Sequence, residues 1–294
     1  MIVIGSRGSQ LALWQARHIQ EKLAGLGAET RIEIIKTTGD KITDVPLAQV
    51  GGKGLFTKEI EEALLEKTID VAVHSLKDVP AQVPQGLTLA AIPEREDPRD
   101  ALVGHPLAEL GDGSRVGTSS LRRAAQLRAL GQGIRIEMLR GNVDTRLRKL
   151  DDGDYDSIVL AASGLKRLGW AARIREYLPI GIMCPAVGQG ALAIETRVDG
   201  DAFELVRKLD HFESRMAVVA ERAMLAKLEG GCQVPIGGYA VVSNGRIAMR
   251  GMVISVDGSR KLTAELEGAE PVELGFNIAQ QLLAQGAGEI LSAI

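Results

Sequence analysis

The chain has 294 residues, 45% of them apolar and 25% charged, and a formal net charge of −3. That length supports about two or three domains with cores of their own, and the composition is that of a globular protein. No apolar run approaches the roughly 18 residues of a membrane span, and the opening MIVIGSRGSQ is too short an apolar stretch for a secretory leader; the charge gives no overall nucleic-acid signal.

The first elements alternate strand and helix. Ile2–Ile4 reads as a strand, GSRGS as a turn, and the next stretch as a helix with Ala12, Ala16, Ile19 and Leu23 on one face. RIEIIK (31–36) is a strand, FTKEIEEALLEK (56–67) a helix, and DVAVHS (70–75) and GLTLAAI (86–92) are strands. The polar PEREDPRD (93–100) looks like a crossing between domains. A second alternating set follows: a short strand ending at Val116, helix 121–130, strand 134–140, helix 142–150 and strand 155–162. The strand after PAVGQGALAIE (185–195) returns to the first domain. A helix over 213–230 ends in glycines suited to a C-cap, and three strands (YAVVS, RIAMRGMVIS, KLTAELE) and a helix near 271–285 complete a small α+β unit. The pattern predicts an α/β protein in three parts: 1–94 with 190–210, 95–189, and 211–294.

In open α/β sheets ligands bind where strands hand over to helices. Several such edges here are polar or basic. From Arg115 to Lys149 there are eight arginines and one lysine against only Glu137 and Asp144. GTSSLRR (117–123) offers Thr118, Ser119 and Ser120 as hydroxyls and caps, with Arg122 and Arg123 as forked cations suited to an anion. RGNVDTR (140–146) repeats the arrangement with Arg140 and Arg146. SRGS (6–9) adds Arg7 and Ser9, and GGKGLF (51–56) adds Lys53 without Walker spacing. In HSLKDVP (74–80), Lys77 and Asp78 follow an apolar strand, so Asp78 could stabilise a cation or move a proton, or simply pair in a surface turn. Cys184 and Cys232 are expected to stay reduced, and with four scattered histidines they show no zinc spacing, so no metal is expected. Cys232, between glycine pairs in EGGCQVPIGGYA, has no histidine partner nearby and could be a small buried hydrophobe or a reactive thiol.

Nine stretches, SRGSQLALWQA, GGKGLFTKEIE, AVHSLKDVP, REDPRDA, VGTSSLRR, LRGNVDTRL, GLKRLG, PAVGQGA and EGGCQVPIG, together resemble the porphobilinogen deaminase (hydroxymethylbilane synthase) family of tetrapyrrole biosynthesis, in the family's order and over nearly the whole chain. The resemblance implies two periplasmic-binding-protein-like domains around a cleft, plus a small α+β C-terminal domain carrying the cofactor cysteine. It implies a transferase that joins four porphobilinogen molecules head to tail with loss of ammonia and releases hydroxymethylbilane by hydrolysis. Cys232 would hold a covalent dipyrromethane cofactor, and Asp78 would be the catalytic carboxylate. Lys77, Asp78, Thr118, Ser119, Ser120, Arg122, Arg123 and Arg146 would bind the cofactor. Arg7, Ser9, Arg140, Arg146, Arg167 and Gln189 would bind substrate, with Lys53 and Phe56 on a mobile cleft loop. The expected protein is a cytoplasmic monomer without nucleic-acid or membrane partners. A non-catalytic anion-binding protein of the same hinged architecture is the alternative, and a cysteine loop has no purpose in it.

Overall fold

Alternating apolar residues along short strands can bury both faces of a sheet only if helices cover each side, and that requirement organises most of this chain. A computed structural model describes residues 1–41, 54–229 and 234–293. The chain divides into two compact units, Met1–Glu96 with Ala191–Arg215, and Asp97–Gly190 with Met216–Ile294.

The first unit holds β1 (Ile2–Ser6), α1 (Gln10–Gly25), β2 (Thr30–Ile34), α2 (Thr38–Lys41), α3 (Lys58–Leu65), β3 (Val71–Ser75), β4 (Leu87–Ala91), β10 (Leu192–Arg197) and α7 (Phe203–Arg207). Its sheet runs β2-β1-β3-β10-β4; β1 is parallel to both neighbours, and β10 is antiparallel to β3 and β4. Val71 and Val73 pack on one face with Ile4, Ala16, Ile19 and Leu23, whereas Ala72 meets Ile60 and Leu64 of α3 on the other. The apolar stripe read from α1 is the buried one.

The second unit contains β5 (Asp100–Gly104), β6 (Arg115–Gly117), α4 (Leu121–Arg128), β7 (Arg135–Glu137), α5 (Val143–Asp151), β8 (Ser157–Ala161), α6 (Ala162–Arg167) and β9 (Glu176–Tyr177). The order β7-β6-β8-β5-β9 repeats the pattern of the first sheet: β6 is parallel to β7 and β8, and β5 is antiparallel to β8 and β9. Alternation holds here too. Ala101, Val103, Ile158 and Leu160 enter one core, and Leu102 and Val159 enter another with Val116 and Leu127. A three-stranded antiparallel sheet, β11 (Ile236–Ser243), β12 (Arg246–Ile254) and β13 (Lys261–Gly268), packs against α8 (Phe212–Lys227), α9 (Pro271–Ala284) and α10 (Ala287–Ser292). The α/β class with a small C-terminal sheet is therefore as expected.

Two expectations need adjusting. Strands β5 and β9 were not foreseen, and β5 begins at Asp100, the last residue of the stretch read as a crossing. Helix α8 ends at Lys227, and Glu229, not a glycine, takes the left-handed φ of 53°. Gly230 and Gly231 lie outside the described residues.

Candidate active site

In each five-stranded sheet the chain steps from its first parallel strand to one side and later returns to the other. Strand order therefore reverses between β1 and β3, and again between β6 and β8. Ligands of open α/β sheets sit at such reversals, beyond the carboxyl ends of the strands. Most of the motif residues leave from these edges.

In the first unit, β1 and β3 run parallel and deliver Arg7–Ser9 and Lys77–Asp78 to the same edge. Ser9 caps α1, its hydroxyl accepting from the Ala12 amide at 3.3 Å. Arg7 grips Asp40 through Nε (3.1 Å) and Nη2 (2.5 Å), and its guanidinium lies 4.2 Å from the centroid of the Phe56 ring. Burial pushes the Asp40 carboxyl up, but the Arg7 hydrogen bonds and charge, with Thr37, outweigh it and hold the carboxyl below its ordinary value. Asp78 closes a 3₁₀ turn, Leu76–Asp78, that the Leu76 amide anchors by donating to the Ala191 carbonyl at 3.0 Å. Among the described residues, no side chain pairs with the half-buried Asp78 carboxylate. Behind it, buried His74 shares a 2.9 Å hydrogen bond with Glu195, an internal structural role. Lys53 lies outside the described residues.

In the second unit, β6, β7 and β8 run parallel and release Thr118–Ser120, Arg140 and α6 at one edge. The Thr118 hydroxyl accepts from the Ser120 amide at 3.2 Å, and Ser120 caps α4 by accepting from the Arg123 amide at 3.5 Å. Ser119 is half-buried between them. Gly141 turns the chain after Arg140 at φ 114°, a conformation that favours glycine. Arg146 folds back so that Nε donates to the Gly141 carbonyl at 2.8 Å, whereas Asp144 is exposed. Arg167 donates from Nη2 to the Gly190 carbonyl at 2.6 Å.

Arg122 and Arg123 are almost fully buried, which their surface-like sequence did not suggest. Both meet Asp100, which has no exposed surface. Arg123 donates to Oδ1 from Nε (3.0 Å) and Nη2 (2.7 Å), and Arg122 Nη1 lies 2.8 Å from Oδ2. Burial would raise the Asp100 pKa, but the two guanidinium charges bring it down to about 2. Gln189, expected to line a cleft, is likewise fully buried and donates to Asp100 Oδ1 at 2.9 Å and to the Pro98 carbonyl at 2.7 Å. Sequence reasoning missed Asp40 and Asp100; the latter stands inside the quoted REDPRDA motif, which was the available signal.

Cys232 lies outside the described residues. The other cysteine makes a poor competitor, because burial pushes the Cys184 thiol up to about 12. A groove of about 700 Å³ at the opposite ends of the strands, lined by His105, Arg115, Tyr155 and Arg173, includes none of the candidate residues. Among the described residues, no group of three or more His, Cys, Asp or Glu side chains could hold a metal ion, and no helix is long and apolar enough to cross a membrane.

Guanidinium forks and hydroxyls concentrated on sheet edges suit a ligand bearing several carboxylates, and comparison with known proteins says which. Residues 2–204 match the model described as "Porphobilinogen deaminase, dipyromethane cofactor binding domain", and residues 215–284 match "Porphobilinogen deaminase, C-terminal domain". The chain belongs to the porphobilinogen deaminase family. A porphobilinogen deaminase of Syntrophobacter fumaroxidans is 51% identical over 302 residues, covering 100% of this chain and 98% of its own. One from Brevibacillus brevis is 51% identical, covering 99% and 96%, and one from Nitratidesulfovibrio vulgaris Hildenborough is 53% identical, covering 100% and 96%. A periplasmic substrate-binding protein from Coxiella burnetii gives a TM-score of only 0.45 at 12% identity, over 76% of this chain and 97% of its own, a likeness too loose to build on. The chain is thus a transferase of tetrapyrrole biosynthesis with a domain for a dipyrromethane cofactor, and the non-catalytic alternative falls away.

Proposed function

We propose that Cys232 carries the dipyrromethane primer of this porphobilinogen-polymerising enzyme and that Asp78 is its catalytic carboxylate. The observation that carries this reading is the Asp78 side chain itself. It stands at the strand reversal of the first unit with no partner among the described residues, whereas Asp40 and Asp100 are both held by arginines. An unpaired carboxylate there can accept from pyrrole N–H groups and stabilise the cation left when ammonia departs from a porphobilinogen molecule. Such charge stabilisation needs a fixed anion, and the Leu76 amide bond fixes the turn that presents it.

The residues at hand fit a polycarboxylate: two basic, hydroxyl-bearing edges in the second unit and a third in the first. Lys77, Thr118, Ser119, Ser120, Arg122, Arg123 and Arg146 would hold the primer's carboxylates. When bound, the primer supplies the free pyrrole carbon to which the first substrate is joined. Arg7, Ser9, Arg140, Arg146 and Arg167 would position the incoming substrate. Arg7 would do so by exchanging Asp40, whose grip and the Phe56 ring keep the guanidinium oriented until then. Gln189 supports the site from beneath through Asp100. The three-part division at 94/95, 189/190 and 210/211, a cytoplasmic location and a monomeric state without nucleic-acid partners belong to the same reading.

Intact-mass analysis after incubation with porphobilinogen tests it. The wild-type chain should gain the mass of two linked pyrroles, and Asp78→Ala should gain it too but turn over about 10²–10³ times more slowly. Full activity in Asp78→Ala would end the role given to that residue, and an unmodified wild-type chain would end the reading as a whole.

A further inference from the structure

We propose that Asp100 is a positioning residue for primer uptake: it fixes Arg122 and Arg123 beneath the first turn of α4 and so sets how tightly the primer's carboxylates are taken. This rests on the reading that Cys232 carries the primer. Topology brings Asp100 there. Because β5 runs antiparallel to β8, its first residue lies opposite Ala161, at the edge where β6, β7 and β8 end. A carboxylate in a chain segment far from α4 in sequence thus arrives under the arginines that α4 carries.

One of its oxygens is held by three donors, and the other makes an ion pair without hydrogen-bond geometry. Oδ1 accepts from Arg123 Nε and Nη2 and from Gln189 Nε2, at 3.0, 2.7 and 2.9 Å, and Oδ2 faces Arg122 Nη1 at 2.8 Å. The two arginines are braced unequally. All three Arg123 nitrogens have acceptors, since Nη1 donates to the Val159 carbonyl at 3.0 Å. Arg122 is held through Nη1 alone, by Asp100 and the Cys184 carbonyl, and among the described residues nothing accepts from its Nε or Nη2.

Charge points the same way. Two guanidinium groups share one carboxylate in a site where Asp100, Arg122 and Arg123 are at most 6% exposed, leaving one positive charge in excess. Uncompensated buried charge is costly, and a carboxylate delivered at the Arg122 edge would balance it. Without Asp100 the two cations would face each other and separate. Arg122 would then keep its charge and lose its aim.

The test follows primer loading onto full-length apoprotein by intact mass at increasing porphobilinogen concentration. Asp100→Asn should raise the half-saturating concentration about tenfold or more, the worth of a hydrogen bond to a charged group, while the maximal loading rate and far-UV spectrum stay close to wild type. Asp100→Glu, which keeps the charge, should recover most of the lost affinity. A purely structural role would lower the amount of loadable protein and leave half-saturation where it was, and that result overturns the proposal. If Asp100→Asn does not fold, Gln189→Leu is used; it keeps every charge but removes one of the three donors to Oδ1, and should shift half-saturation the same way by a smaller factor, an unchanged value again overturning the proposal. A wild-type chain that gains no mass defeats the primer reading itself, and this inference with it.

Discussion

Glu61 and Asp100 are both buried carboxyls, and their surroundings drive them in opposite directions. For Glu61, burial raises the pKa, and the nearby Glu195 and Glu62 charges add to it against the Thr57 hydroxyl and the His74 charge, so the net is upward. A carboxyl whose folded pKa lies above its unfolded one binds its proton more tightly when folded. Its contribution to stability is present at low pH and is lost as pH rises from the ordinary glutamate range through the raised value. Glu61→Gln should therefore leave the melting temperature nearly unchanged at pH 4 and raise it at pH 8. Equal effects at both pH values would show that Glu61 does not titrate abnormally. Asp100 behaves in reverse, stabilising above the ordinary aspartate range and failing only as pH falls toward about 2. The residue types at the candidate site were legible in the sequence because hydroxyls and arginines after a strand advertise an anion. Burial of Arg122 and Arg123 was not, because Asp100 and Gln189 reach them only through tertiary pairing.

Elements long enough to show a period were readable, and those that were not escaped. Helices α1 and α8 and the strands of the C-terminal sheet declared themselves, whereas β5 lies against a polar, proline-bearing stretch and β9 has two residues. A strand whose identity comes from its partner, as β5 takes its place from β8, leaves little local signal. Packing at the end of β6 makes a sharper point. A Cβ on Gly117 would lie 2.9 Å from Tyr155 Cδ1, 3.0 Å from Leu139 Cδ2 and 3.1 Å from Ile158 Cγ2. Leu139 leads directly into Arg140, and Gly117 directly into Thr118, so one added methyl presses on two of the proposed ligand edges together. Gly117→Ala should cost the second unit about 1–3 kcal/mol, read as a lower urea midpoint of that unit's own transition at unchanged slope. Primer loading should slow with it. A wild-type midpoint would mean that the neighbouring side chains give way without cost.

The two units supply different parts of the proposed chemistry, and that division can be read by calorimetry. Arg7, Lys77 and Asp78 belong to the first unit; the arginine edges belong to the second, as does the stretch holding Cys232. A chain of this size with two compact units is not expected to unfold in one step, so each unit can report on its own contacts. A primer bound covalently through Cys232, as proposed, would stay attached to the unfolded chain, so any stabilisation it brought would come from its carboxylates pairing in the folded state alone. Hydrogen bonds to charged groups contribute about 1.5–3 kcal/mol each. For units of this size one kcal/mol moves a melting temperature by about 2–4 °C or more. The loaded wild type should therefore melt at least about 5 °C above Cys232→Ser, which cannot be loaded. If carboxylates are held by Lys77 as well as by the second unit, both transitions should rise. A rise confined to the second transition would remove Lys77 from the primer-binding set. No rise in either would mean that the arginine edges do not hold the primer at all.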